Sequence, residues 1–313
     1  MNPQIKVFGV GGSGSNTISR MACLSGKKSR HCNHGVELVA INTDAQALHF
    51  CKADKKILIG KNATKGLGTG MDVALGRKAA EESREEIIEG LKGSNMVFIT
   101  CGFGGGTGSG AAPIIAELSK RLGILTIMVV TTPFSFEGEQ RKRVAENALQ
   151  KLKNEIDSLI IISNDKLLSI IDEKTTVSNA FSICDEILKE AVQSITDLIL
   201  VPGIINIDFS SVLSIIKNSG RMLFGSAKAQ GENRAVDAAT KAINSPLLDF
   251  SVKGAKGVLF NASGQDITLK EIQEAAKVIT KHVDSKAQII FGAVKNNTLK
   301  KGEIKITVIA TKF

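Results

Sequence analysis

Tryptophan and tyrosine are missing from this 313-residue chain, and phenylalanine is its only aromatic, with 13 copies. Stacking platforms for nucleobases along an open strand are therefore few. Lysine and arginine exceed aspartate and glutamate by 9, a balance that can signal nucleic acid or an anionic surface. The basic residues are spread over many segments and no RNP-type motif occurs, so nucleic-acid binding is not expected. Cysteine is scarce, odd in number and scattered (Cys23, Cys32, Cys51, Cys101, Cys184), with no CxxC pair. That pattern suits reduced thiols, and neither a disulfide framework nor a metal site is expected. No eighteen apolar residues run together, and Met1-Asn2-Pro3-Gln4 leads directly into a strand pattern. The expectation is no membrane insertion, no signal peptide and a cytoplasmic location.

What the chain has in abundance is glycine, concentrated in Gly102-Phe103-Gly104-Gly105-Gly106-Thr107-Gly108-Ser109-Gly110 between the apolar run Met96–Cys101 and a helical pattern from Ala111 to Leu122. Without Cβ atoms the backbone can approach a ligand closely, and a helix start presents free N–H donors and a positive partial charge. A strand, a glycine loop and a helix start thus make a phosphate site. A flexible linker is disfavoured, since linkers do not sit between a buried strand and an amphipathic helix. A second such junction follows Gln4–Val10, where Gly9, Gly11 and Gly14 satisfy GxGxxG, and a third glycine turn runs from Thr64 to Gly70. The dinucleotide reading wants an acid about 20 residues on, but Asp44 lies some 30 residues after Gly14. No lysine follows Gly14 or Gly110, which excludes a P-loop. Strands at Val36–Asn42, Lys55–Ile59, Leu125–Val130 and Leu159–Ile162 alternate with helices, including one charged helix from Asp72 to Lys92, and predict an α/β, Rossmann-like parallel sheet. A long helix at Val177–Leu200 is read as a spine, followed by strands and helices typical of an α+β domain. The expected division is 1–176, 177–208 and 209–313.

With Gly104 to Gly110 reading GGGTGSG, the chain resembles the tubulin/FtsZ superfamily, whose signature is GGGTG[ST]G, and within it the bacterial FtsZ family. Further matches are Gly9-Val10-Gly11-Gly12, Asn42-Thr43-Asp44-Ala45-Gln46, Thr64-Lys65-Gly66-Leu67-Gly68, Pro133-Phe134 with Phe136-Glu137-Gly138, Asn164-Asp165-Lys166-Leu167-Leu168, and Asn206-Ile207-Asp208-Phe209. The resemblance implies a tubulin/FtsZ fold that binds GTP or GDP, with Mg2+, and polymerises head to tail into filaments at the division site. It implies as partners the chain itself, another FtsZ, and membrane-tether proteins. The implied nucleotide residues are Gly11, Gly12, Asn16, Arg20, Asn42, Asp44, Gly68, Gly70, Gly102, Gly104, Gly105, Gly106, Thr107, Gly108, Pro133, Glu137, Arg141, Asn164, Phe181 and Asp185.

Phe181 and Asp185, four apart on one helix face, suit a ring stacked on a base and a carboxylate accepting its N–H groups. Guanine presents adjacent donors there and adenine does not. By the match, Asn164 is the other base contact, Asn16 and Arg20 lie beside the base, and Glu137 and Arg141 approach ribose and phosphate. Taken singly, these residues also admit plainer readings: core packing for Phe181, an exposed i,i+4 pair for Glu137 and Arg141, and an Asx turn at Asn164-Asp165.

In the family the loop of the next subunit completes the pocket with the pattern N-x-D-F-x-D. Here it supplies Asn206 and Asp208, while Ser211 stands where the second acid is expected. A serine cannot carry the charge that activates water, so hydrolysis is expected to be slow. A non-hydrolysing filament or scaffold paralogue is the alternative. A dinucleotide oxidoreductase, resting on Gly9 to Gly14, is disfavoured by the stretched spacing. The basic segment 24–34, near three of the four histidines, is read as a solvated loop, because its spacing matches no zinc pattern. The sequence ends at Phe313 directly after a strand, without the linker and acidic-hydrophobic tail by which family members bind membrane tethers.

Overall fold

The computed structural model describes residues 3–23, 35–152, 155–168, 171–172, 174–201, 203–205, 207–245 and 251–313. The segment 24–34 and Asn206 lie outside these residues. Chain contacts divide the molecule into Met1–Gln193 and Ser194–Phe313.

In the first unit, strands β1 (Ile5–Val10), β2 (Val36–Asn42), β3 (Lys55–Leu58), β4 (Met96–Gly102), β5 (Leu125–Thr132) and β6 (Ser158–Ser163) form a sheet in the order β3-β2-β1-β4-β5-β6. Every pairing among them is parallel. The runs of β1, β2, β4 and β5 are buried almost throughout, on both faces, as a helix-covered parallel sheet requires, while the edge strand β3 is partly exposed. Phe8, Val10, Ile99 and Met128 pack against helices α3 (Val73–Glu82), α4 (Arg84–Leu91), α5 (Gly106–Arg121) and α6 (Glu139–Lys151). The opposite face meets α1 (Gly11–Cys23), and a Cβ on Gly9 would run into Ile18 and the Gly14 backbone. Two short helices, α2 (Ala45–Phe50) and α7 (Asn164–Leu168), continue the ends of β2 and β6. The long helix α8 spans Val177–Leu200, as its apolar spacing predicts.

Two local expectations need correction. The single charged helix expected from Asp72 to Lys92 is two, broken at Ser83. The Ser83 hydroxyl accepts the N–H of Gly60 at 3.0 Å, so a tertiary bond fixes this residue out of helical geometry. The glycine segment is largely not a loop either. Gly106 to Gly110 form the first turns of α5, and Gly11 to Gly14 those of α1. Helix propensity argues against this. The reason is packing: a Cβ on Gly106 would lie 2.7 Å from the Asp72 carbonyl oxygen, and one on Gly110 would lie 2.6 Å from the Arg77 nitrogen, so α3 and α5 approach backbone to backbone.

In the second unit, β7 (Gly220–Gln230), β8 (Gly257–Gly264), β9 (Gln288–Lys295) and β10 (Glu303–Thr311) are ordered β7-β10-β8-β9. The pairings of β10 are antiparallel and β8–β9 is parallel. Helices α10 (Arg234–Ile243) and α11 (Leu269–Thr280) cover one face through Ala238, Ala239, Ala275 and Ile279 against Val258, Phe260 and Ile306. A further helix, α9, spans Phe209–Ile216. The first unit is thus Rossmann-like α/β and the second α+β.

Candidate functional site: a cavity at the carboxyl edge of the parallel sheet

Strand order reverses between β1 and β4, and ligands of open α/β sheets bind outside the carboxyl ends of the strands at such a point. A cavity of about 660 Å³ opens there, entirely within the first unit. Of the sequence-derived nucleotide residues, all but Arg20 and Gly104 line it.

Its floor is built from helix starts. Gly11 takes φ +72° as β1 turns into α1, and its Cβ position faces the Gly108 nitrogen at 3.2 Å. The N-termini of α1 and α5 therefore meet, and their unpaired N–H groups favour an anion. Not all the glycines serve this floor. Gly12, Gly70 and Gly105 have open space where a Cβ would stand, whereas Gly106 and Gly108 are held by neighbouring backbone. Gly104, at φ +102°, stays off the wall: its N–H donates to the Ser109 hydroxyl at 2.9 Å.

One wall is the segment from Thr64 to Met71. It is tied to the end of β2 by an Asp44–Leu67 bridge and by the Gly68 N–H donating to the Thr43 carbonyl at 3.1 Å. Lys65 and Met71 both have positive φ, and Leu67 is 85% exposed. Strain and apolar exposure of this kind persist only where something holds them. Three threonine hydroxyls join the floor to this wall: Thr107 lies 2.7 Å from Thr43 and 3.4 Å from Thr69. The sequence reading missed Thr43 and Thr69 as wall residues. Their only signal was position beside the Asn42-Thr43-Asp44 and glycine-turn motifs.

The opposite wall comes from β6, α7 and α8. Asn164 is buried, and its side-chain carbonyl oxygen has no hydrogen-bond partner. Phe181 lies on the wall, with the fully buried Phe134 ring edge-on behind it at 5.3 Å, so it is a supported cavity side chain rather than core. Asp185 has a side chain only 7% exposed. Burial pushes its carboxyl up to about 6, against the opposing pull of Arg20. Arg20 itself sits behind the wall, its Nε donating to Asp185 Oδ2 at 3.2 Å and one of its terminal nitrogens to the Ser182 hydroxyl at 2.8 Å. At the rim, Glu137 accepts from Arg141 at 2.7 Å and from the Phe134 N–H at 2.9 Å. The i,i+4 pair and the cavity position of Arg141 thus coexist. Asp165 accepts the Ser135 N–H at 2.7 Å instead of closing a turn of its own.

Cys184, also on the wall, is pushed up to about 12 by burial first and then by the charge of Asp185. Its thiol is expected to resist iodoacetamide at pH 8 in the native protein and to react on unfolding. Peptide mapping after alkylation checks this, and rapid native labelling of Cys184 would contradict it.

Asp208 and Ser211 belong to the second unit. Asp208 caps α9, accepting the Ser211 N–H at 2.6 Å and the Ser210 hydroxyl at 3.1 Å. Those bonds, from Ser211 first, lower its carboxyl below the usual range.

Fold and cavity together define a class, the α/β domains that receive an anionic ligand on helix N-termini at a sheet switch point, here without a P-loop lysine. The sequence model of the Tubulin/FtsZ family GTPase domain matches residues 4–172, and that of the FtsZ family C-terminal domain matches residues 220–313. The chain belongs to the tubulin/FtsZ family. Among solved structures, the FtsZ dimer from M. jannaschii is 42% identical, covering 99% of this chain and 88% of that one, with a TM-score of 0.93. The GTPgS-bound protofilament of CetZ2 from Haloferax volcanii is 22% identical over 98% of this chain and 92% of that one, with a TM-score of 0.82, a likeness of fold.

Proposed function

We propose that the chain binds GTP or GDP in this cavity and assembles head to tail with copies of itself into filaments that serve cell division at the division site in the cytoplasm. The observation that carries the nucleotide reading is the buried, partnerless Asn164 oxygen on the same wall as Asp185. An unmatched buried acceptor is costly, and a base with adjacent N–H donors supplies the partner that the Asn164 oxygen lacks and further donors to Asp185, whose Oδ2 accepts only from Arg20 among the described residues. Phe181 stacks on that base, and the floor of Gly12 and Gly105 takes the phosphates. Among the described residues no three His, Cys, Asp or Glu side chains gather as a metal cage. Magnesium, which keeps much of its water and binds substrate phosphates, takes its ligands from nucleotide and solvent.

Hydrolysis is completed in this reading by Asn206 and Asp208 of a neighbouring copy. Asp208 serves as a helix cap with a lowered carboxyl, so it orients water better than it removes a proton. Ser211 adds no charge. Phosphate release from assembled protein is therefore expected to be slow, and Ser211→Asp to accelerate it about 10²- to 10⁴-fold. Sedimentation with GTP and with a non-hydrolysable analogue, alongside phosphate release, is the test. Rapid release by the native chain with no gain in the variant would refute the role of Ser211, and failure to sediment with either nucleotide would refute assembly. Sedimentation without any phosphate release, even in Ser211→Asp, favours the scaffold reading. Binding to another FtsZ and to membrane tethers extends the same proposal.

A further inference from the structure

Arg20 is the one sequence-derived nucleotide residue, apart from Gly104, that does not line the cavity. It is also the only charged partner that the Asp185 carboxylate has among the described residues. Arg20 comes from α1, while Asp185 and Ser182 lie one turn apart on α8. Its guanidinium bridges both, with Nε on Asp185 Oδ2 and a terminal nitrogen on the Ser182 hydroxyl. The Arg20 side chain is 39% exposed and that of Asp185 only 7%, so the arginine reaches water while the carboxylate does not. Oδ2 is engaged by Arg20, and among the described residues no bond to Oδ1 is seen.

We infer that Arg20 is a positioning residue for base recognition: from outside the cavity it fixes the orientation of the Asp185 carboxylate and supplies its counter-charge, without touching the ligand. The inference rests on the guanine reading of the cavity. A carboxylate accepts two N–H groups of one ligand edge only while ionised, and a buried carboxyl with no cation beside it gains a proton. The other groups near Asp185 do not replace Arg20. Cys184 on the same helix is a neutral thiol, Lys189 one turn further on is paired with Glu186, and Glu137 and Arg141 at the rim are paired with each other. The second bond, to Ser182, anchors the guanidinium to α8 itself, so that the cation is held beside Asp185 Oδ2.

The test is the affinity for GDP and inosine diphosphate, which lacks the exocyclic amino group, measured by calorimetry from pH 5.5 to 8.5. Wild type, Arg20→Met and Arg20→Lys are compared, with thermal melts to confirm folding. In Arg20→Met, GDP affinity at pH 6.5 is expected to fall about 10- to 100-fold. Most of the loss should be recovered by pH 8.5, because removing the cation moves the protonation of Asp185 upward. Arg20→Lys should restore charge and most of the affinity near neutral pH. Inosine diphosphate, with one donor fewer, should lose less than GDP. A loss of equal size at every pH, or no loss, overturns the inference while leaving the guanine reading intact. If the wild type fails to prefer GDP to ADP, the guanine reading fails instead.

Discussion

Asp185→Asn is expected to weaken GDP binding about 100-fold while leaving the empty protein at least as stable as wild type. The two effects have one cause. In the folded chain the carboxylate is buried and its pKa lies near 6, above its ordinary 3.8. A folded pKa above the unfolded one means that the fold holds the proton more tightly. The ionised side chain therefore costs stability, a cost that grows as pH rises through the interval from 3.8 to about 6 and is complete near neutrality. At about 1.4 kcal/mol per unit this is on the order of 3 kcal/mol, less what the exposed Arg20 regains by hydration once its partner is neutral. The asparagine removes that cost. It also removes the charge from two hydrogen bonds to the base, each worth about 1.5–3 kcal/mol, and sets an N–H group against the base's own donors. ADP, which cannot satisfy the carboxylate, should bind the variant about as weakly as it binds wild type. The wild type itself should lose GDP affinity as pH falls below about 6. Calorimetry and melting curves on both proteins test the pair of effects. A variant that melts far below wild type would show that Asp185 is structural rather than poised for a ligand.

Gly106→Ala and Gly105→Ala, one residue apart, are expected to fail in different ways. A Cβ on Gly106 would lie 2.7 Å from the Asp72 carbonyl oxygen and 2.9 Å from the Asp72 nitrogen, and both are backbone atoms with no side chain to swing aside. The substitution must separate α3 from α5, and a cost at or above the usual 1–3 kcal/mol of overpacking is expected, read as a lower denaturation midpoint. Gly105 has open space at its Cβ position and an ordinary φ of −96°. Its alanine variant should fold normally, and because it lies on the cavity floor it should weaken nucleotide binding about tenfold by crowding the phosphates. If Gly105→Ala also unfolds the protein, or Gly106→Ala is tolerated, the division of the glycine segment between packing and ligand is wrong.

That division is also where the sequence was least legible. The central strands β4 and β5 announced themselves because they are buried on both faces and almost continuously apolar. Helix α8 did so because a long one-sided stripe has a single reading. The cavity walls were legible through motifs that sit at strand ends. Helical glycines were not, because propensity treats them as breakers, and only the approach of α3 to α5 explains why no side chain fits at Gly106 and Gly110. The break at Ser83 depends on Gly60, 23 residues away, which no local pattern reveals. Thr43 and Thr69 became wall residues only when the fold brought them to Thr107. Arg20 was read as a neighbour of the base, yet it stands behind Asp185, a distinction of one side-chain layer that spacing along a helix does not resolve.

The most direct test of the account is calorimetric titration of the nucleotide-stripped protein with GDP and with ADP at pH 7.5. A site whose buried Asn164 and Asp185 acceptors face adjacent N–H donors should bind GDP at least about 100-fold more tightly, because the wrong base leaves the Asn164 oxygen unpaired and adds no donor to Asp185 beyond Arg20. Equal affinities, or no binding of either nucleotide, would contradict it.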